Sequence, residues 1–494
     1  MNLKQQLDYL FNPRSVAVIG ASNAFGKWGF GIFRLLITRG GREIYPVNRH
    51  EPEVLGVKAY SSVTEIPVPV DCAVIIIPSR EIPSAMEDCV KKGVKVAVVI
   101  SGGFAETGDD GARIQKETVE IARRGGIRFV GPNCMGHFNA HADFYTTPFV
   151  PSVKKGPVAL ISQSGNSGAS IVHSGWKVGL GFSKFVSAGN EADLHFEDYL
   201  EYLAEDDETK LILGYVEGFR EGRRFFELAR EVTRKKPIVI MKAARTDFGA
   251  RAARSHTAAL AGSDLVIDAV FKQCGVIRVE EIGEMIDVTL ALLGQPLPRG
   301  KRVGVVSMGG GLGVVVADAL KRHGFELPPL SPATMDKLNS KMSSRWSHGN
   351  PVDPAGDLVS YHSLWPLIED ENMDITMIIG GFGMVGLLDD LVGAVNMATD
   401  EIDKMLQAAQ GEELKNLDIT IELMKKYQKP VIFTTMVSDA VRKGGVYDKL
   451  EQNYLTPCAT PEMAAKVLAH LVRYSEYLGK LREKDKVEVR SHNS

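Results

Sequence analysis

A chain of 494 residues, 44% hydrophobic and 24% charged, is too long for one core and is expected to divide into domains of ordinary size. Its formal net charge of −3 argues against a broad phosphate-binding surface, and so against non-specific nucleic-acid binding. No apolar run reaches the ~18 residues needed to span a bilayer, and the N-terminal MNLKQQLDYLFNPRS lacks the apolar centre of a secretory signal. The five cysteines, Cys72, Cys89, Cys134, Cys274 and Cys458, are scattered and form no CxxC pair. Neither a disulfide scaffold nor a structural zinc site is expected, and a cytoplasmic location fits.

In chain order, short β-branched runs alternate with amphipathic stretches: SVAVIG, REIYPVN, CAVIIIP, KVAVVISGG, PVALIS, KLILGYVEG, PIVIMKA, RVGVVS, ITMIIGG and PVIFTTM. Apolar strands without alternation, each followed by a helical segment, predict parallel sheets covered on both faces. Two joints poor in apolar periodicity lie within residues 139–156 and 294–301, and the tail from residue 480 is charged and expected to fray. Across the second joint the pattern repeats. KKGPVALISQSG (154–165) matches RGKRVGVVSMGG (299–310), DDETKLILGYVEG (206–218) matches ENMDITMIIGGFG (371–383), and TRKKPIVIMK (233–242) matches KYQKPVIFTT (426–435). The expected architecture is α/β. A Rossmann-like domain over 1–145 precedes two flavodoxin-like domains, 146–296 and 297–480, and a charged tail, 481–494.

SVAVIGASNAFGKWG reads as a strand, a glycine-rich turn and a helix N-terminus, the arrangement that holds phosphate. The glycines Gly20 and Gly26 do not have G-x-G-x-x-G spacing. The next strand ends in Asn48-Arg49, where an NAD enzyme would place a carboxylate. Polar and cationic residues there suit an adenosine with an extra phosphate, which leaves coenzyme A and NADP open. Three later strand ends, carrying Pro78-Ser79, Ser101-Gly102 and Asn133-Cys134, are expected to converge on the same crevice. Cys134 reads as a buried, inert thiol rather than a nucleophile, since no His or Lys adjoins it.

One histidine stands out. His256, in RSHTAALAG, follows the strand PIVIMKAA and a loop carrying Arg245, Arg251 and Arg254, and precedes a helix that Ser255 could cap. The alternative is a surface histidine on a basic loop. The repeat bears on the choice: the first copy has Glu217 at the end of KLILGYVEG as well as His256, and the second copy lacks both. A carboxylate on one ring nitrogen would fix the tautomer and leave the other nitrogen nucleophilic.

These motifs together resemble the NDP-forming acyl-CoA synthetases, relatives of succinyl-CoA synthetase. The residues that carry the likeness are VIGAS, GKWG, VISGGFAE, GPNCMG, SQSGNSG, SAGNEADL, YVEG, SHTAALAG and NPVDPAGD, spread over nearly the whole chain. The resemblance implies a phosphohistidine shuttle: phosphate displaces CoA from an acyl-CoA, the phosphoryl group moves to His256 beside Glu217, and ADP then takes it. It implies that Ser22, Lys27 and Asn48 lie near the CoA phosphates and Asn133-Cys134 near the thiol. Ser162, Gln163, Ser164, Gly165, Gly189 and Asn190 would lie by the phosphate and acyl site. No ATP-grasp module is visible in the chain, so ATP/ADP with Mg2+ is expected mainly on a separate ATP-grasp β subunit in a hetero-oligomer. The remaining partners are a small carboxylic acid and its CoA thioester, and no metal site is expected on this chain. The alternative is a non-catalytic CoA-binding or sensing protein on the same fold.

Overall fold

The computed structural model describes residues 1–150, 152–246, 248–249, 264–355, 364–395, 399–434 and 445–492. It divides into two compact units, residues 1–282 and 283–494.

The first unit holds two main sheets. Strands β1 (Ser15–Ile19), β2 (Glu43–Val47), β5 (Cys72–Ile75), β6 (Val96–Val99) and β7 (Arg128–Val130) form a parallel sheet in the order β2-β1-β5-β6-β7. Every residue of β1, β5 and β6 is buried, as unalternated β-branched runs require. Between β2 and β5, β3 (Glu53–Val54) and β4 (Val57–Lys58) make a small antiparallel hairpin.

The second sheet has the order β14-β13-β12-β10-β11-β8-β9. Its parallel strands are β10 (Lys155–Ser162), β11 (Phe182–Ser187), β12 (Leu211–Val216), β13 (Ile238–Lys242) and β14 (Ile277–Val279). Two short antiparallel strands, β8 (His137–Asn139) and β9 (Phe144–Tyr145), complete one edge. Part of the expected joint at 139–156 is therefore sheet. Three- and two-residue strands leave no readable period, yet Phe138, Phe144 and Tyr145 bury their rings there. One apolar cluster joins Val18 and Val98 of the first sheet to Ile161, Val186 and Ile212 of the second, so the two sheets share an interior.

The second unit begins ahead of the expected joint at 294–301. Its first helix, Ile282–Gly294, is held by a buried ion cluster. Glu284, with no exposed surface, accepts from Lys466 Nζ at 2.9 Å and pairs with His470 Nε2 at 2.8 Å. Both partners belong to the helix Pro461–His492, which runs through the charged segment expected to fray. The unit's sheet is β15 (Val303–Ser307), β16 (Ile375–Ile379) and β17 (Val431–Thr434), parallel in the order β15-β16-β17.

That order is the adjacency of β10, β12 and β13, the strands paired with them by the sequence repeat. A detail repeats too: Ser162 Oγ donates to Ser164 O at 2.6 Å, and Ser307 Oγ to Gly309 O at 2.8 Å. The copies differ at the helix that follows. Ser164 caps the helix Gly165–Lys177 by accepting from Ser167 N, whereas Gly309 gives the helix Gly310–Arg322 no side-chain cap. Among the described residues no helix is long and apolar enough to cross a membrane.

Candidate functional site

Two cavities adjoin along the first unit, and Ile76 lines both. The smaller, of about 380 Å³, is lined by Gly20, Ser22, Lys27, Asn48, Arg49 and Pro78. Its geometry starts at the glycine turn. Gly20 follows β1 at φ +95°, and a Cβ there would sit 2.3 Å from Ile76 O. The helix Trp28–Arg39 then packs its first turn on the same loop, where a Cβ on Gly29 would sit 2.0 Å from Gly20 O. Two absent side chains thus bring a helix N-terminus down onto the strand ends.

Of the other expected residues, Gly26 turns the loop at φ +88° but does not line the cavity, and nor does Ser79. Asn48 lines it with its amide already committed. Nδ2 donates to Ala21 O at 2.8 Å, and Oδ1 accepts from His50 N at 2.8 Å and Glu51 N at 3.1 Å. It builds the wall and leaves Arg49 and Lys27 as the cations nearby. Sequence reasoning passed over Glu51, whose carboxylate takes the Asn23 N–H at 3.1 Å and lies 3.5 Å from Ser22 Oγ. A carboxylate does follow β2, but it clamps the glycine turn; lying in the loop beyond the strand, it showed no strand-end spacing.

The larger cavity, of about 800 Å³, is built from both sheets: Asn133 and Cys134 follow β7, Gln163, Ser164 and Gly165 follow β10, Gly189 and Asn190 follow β11, and Glu217 follows β12. Ser162, fully buried, stands behind it. The loop after β11 is bolted to the first sheet's turn: Asn190 N donates to Pro132 O at 2.9 Å and Ala192 N to Gly131 O at 3.0 Å. Asn133 Nδ2 donates to Asn190 Oδ1 at 3.2 Å. Gly189, at φ +61°, has room only for hydrogen, since a Cβ would lie 2.3 Å from Pro132 O.

Cys134 Sγ donates to Val99 O at 3.3 Å, and burial pushes its thiol up to about 12. At neutral pH it is a thiol and not a nucleophile. On the apolar side the cavity is lined by Met135 and by Trp28 and Phe149, whose ring centroids are 4.6 Å apart. Sequence reasoning did not mark these three. Phe149 lies in the stretch read as a joint, and Trp28 and Met135 sit inside the GKWG and GPNCMG turns, where nothing in the spacing separates a lining residue from a packing one.

Glu217 reaches the cavity from a strand terminus held by Gln163, whose Oε1 accepts from Glu217 N at 2.5 Å and Gly218 N at 3.2 Å. Arg245 pairs with Glu280 at 2.7 Å. His256, with Arg251 and Arg254, lies outside the described residues.

A nucleotide-type turn facing one cavity, next to a second cavity of small polar residues, defines an α/β protein built for an elongated phosphate-bearing ligand. Comparison with known proteins makes this specific. A family model described as a CoA binding domain matches residues 14–140, and one described as a succinyl-CoA ligase like flavodoxin domain matches residues 155–292. The α subunit of acetate–CoA ligase [ADP-forming] II of Pyrococcus furiosus is 46% identical over 376 residues, covering 76% of this chain and 82% of its own. The α subunit of form I from the same organism is 38% identical, covering 97% and 100%. An acetyl-coenzyme A synthetase of Ca. Korarchaeum cryptofilum, solved with phosphate and ADP, superposes with a TM-score of 0.81 at 30% identity, covering 97% and 98%. The chain belongs to the NDP-forming acyl-CoA synthetase family, among its α subunits.

Proposed function

We propose that this chain is the α subunit of an ADP-forming acyl-CoA ligase that interconverts acyl-CoA, ADP and phosphate with carboxylic acid, ATP and CoA by way of a phosphohistidine at His256. The observation that carries the reading is the convergence of Asn133-Cys134 from one sheet with Gln163, Ser164, Asn190 and Glu217 from the other on a single cavity.

Coenzyme A fits the adjoining cavity: the glycine turn lets backbone approach a phosphate, and Lys27 and Arg49 supply positive charge. Its thiolate is the leaving group when phosphate attacks the thioester carbonyl and gives an acyl phosphate. The capped helix start at Ser164-Gly165 offers N–H groups and partial positive charge to that phosphate. The His256 imidazole then takes the phosphoryl group as the acid leaves as carboxylate, with the Glu217 carboxylate accepting from the opposite ring nitrogen. ADP takes the phosphoryl group in the last step, and its binding is assigned to an ATP-grasp β subunit. Magnesium goes with the nucleotide.

The test is direct. Incubated with its ATP-grasp partner, magnesium and γ-labelled ATP, the chain is expected to acquire an acid-labile, base-stable label, and His256→Asn to acquire none. Labelling of that variant at the wild-type level would refute the shuttle. In the adenosine cavity, Arg49→Ala is expected to weaken CoA about 5–20-fold, the worth of one charge-assisted hydrogen bond, and dephospho-CoA much less. Equal losses by calorimetry would remove Arg49 from the extra phosphate.

A further inference from the structure

Behind the larger cavity lies a carboxyl group that the shuttle does not use. Glu191 is 4% exposed and does not line the cavity, yet it is bonded to a residue that does. Gln163 Nε2 donates to Glu191 Oε2 at 2.8 Å and to Gly218 O at 2.6 Å, while its Oε1 takes the N–H groups of Glu217 and Gly218. All four hydrogen bonds of this amide are thus directed, and three of them end on the backbone of Glu217 and Gly218.

A primary amide can flip, exchanging donor and acceptor, and a flipped Gln163 would turn its NH2 toward two N–H groups. The carboxyl oxygen of Glu191 takes the second amide hydrogen beside Gly218 O and so adds to the bonds that hold this orientation. Glu191 is itself held in a left-handed conformation at φ +49°, unusual for a non-glycine residue, in the loop bolted to Pro132 and Gly131. Resting on the phosphohistidine reading above, we propose that Glu191 is a positioning residue which, through Gln163, fixes the strand terminus that presents Glu217 to the reacting phosphoryl group.

The protonation state of Glu191 matters to this role. Burial first, and then the neighbouring Glu197, push its carboxyl up to about 8, against the pull of Arg220 and the hydrogen bond from Gln163. The groups facing it are Glu197 and Tyr199 from the helix Phe196–Glu205, Arg220 from the loop after β12, and Gln163 from the turn after β10. Glu191 Oε1, Glu197 Oε2 and Tyr199 Oη have no hydrogen-bond partner, and burial with the neighbouring Glu197 outweighs the pull of Arg220 on a negative charge here. Below its raised pKa Glu191 is neutral and orients Gln163 without adding charge. Above it, a carboxylate stands behind a cavity that must accept phosphate beside Glu217, and like charges repel.

The experiment is the rate of His256 labelling in the full complex from pH 6.5 to 9.5, for wild type, Glu191→Gln and Glu191→Ala. The wild-type rate is expected to fall toward about tenfold per pH unit above the Glu191 range. Glu191→Gln, which can still accept from Gln163 but cannot ionise, is expected to label within about threefold of wild type at pH 7 and to lose that falling limb. Glu191→Ala, which removes one of the amide's four hydrogen bonds, is expected to label about tenfold more slowly at pH 7 with the KM for CoA unchanged. A residue that served stability alone would leave the pH limb in place in both variants. If Glu191→Gln retains the wild-type limb, the inference is overturned even if Glu191→Ala fails to fold. Absence of label in wild type would overturn the phosphohistidine reading and this inference with it; normal wild-type label with wild-type behaviour of both variants overturns this inference alone.

Discussion

Glu217→Gln is expected to slow phosphoryl transfer through His256 by about 10²–10³-fold while leaving the fold intact. The backbone of residue 217 is held by Gln163 whatever its side chain, and the substitution removes the charge presented to the cavity and its attraction for Lys242. A carboxylate that accepts from an imidazole N–H fixes the tautomer and stabilises positive charge on the ring; an amide does neither reliably, and losses of this size correspond to about 3–4 kcal/mol of transition-state stabilisation. CoA affinity, which the proposed function assigns to the adjoining cavity, is expected to stay within about twofold. Single-turnover labelling separates the two effects. A Glu217→Gln protein that labels within about threefold of wild type would remove the carboxylate from the mechanism.

The second large effect is steric. Gly29→Ala is expected to destabilise the first unit by about 3 kcal/mol and to reduce CoA affinity by about 100-fold or more. Its φ is not in the left-handed region; the obstacle is that the new methyl would lie 2.0 Å from Gly20 O and 3.1 Å from Gly20 C. Both are backbone atoms of the turn, so no side chain can swing aside. The helix must back away from the strand ends, and its N–H groups withdraw from any phosphate there. Gly222→Ala, at a helix start with nothing within 4 Å of the added carbon, is the control and is expected to be neutral or slightly stabilising. Chemical denaturation and CoA titration of both variants decide the matter, and equal behaviour would mean that the turn has slack the geometry does not show.

How far the sequence reveals this molecule depends on the range of the interactions involved. Runs such as SVAVI and CAVI are legible as covered parallel strands because their composition alone sets their burial. The repeat is legible because three strand-and-turn segments recur in order, and β15, β16 and β17 pair as β10, β12 and β13 do. The residues lining the cavities are largely legible too, since strand termini of an α/β sheet share one edge. What stays hidden is set by contacts across the chain. Nothing near Asn48 in sequence announces that its amide is spent on Ala21 O. Gln163 and Glu191 belong to different loops, and the bond between them exists only once β10 and β11 lie side by side. The helix Ile282–Gly294 reads as the close of one domain, yet its buried Glu284 ties it to a helix near the far end of the chain.

The interior shared by the first two sheets has a consequence for selectivity. Side chains of both sheets share one apolar cluster, and the loop at Gly189–Ala192 is stitched to the opposite turn, so the polar walls of the larger cavity rest on a common interior. On the proposed function, discrimination among carboxylic acids of different bulk is expected to fall to the indole, phenyl and thioether groups of Trp28, Phe149 and Met135, and exchanging those three is the economical route to a new substrate range.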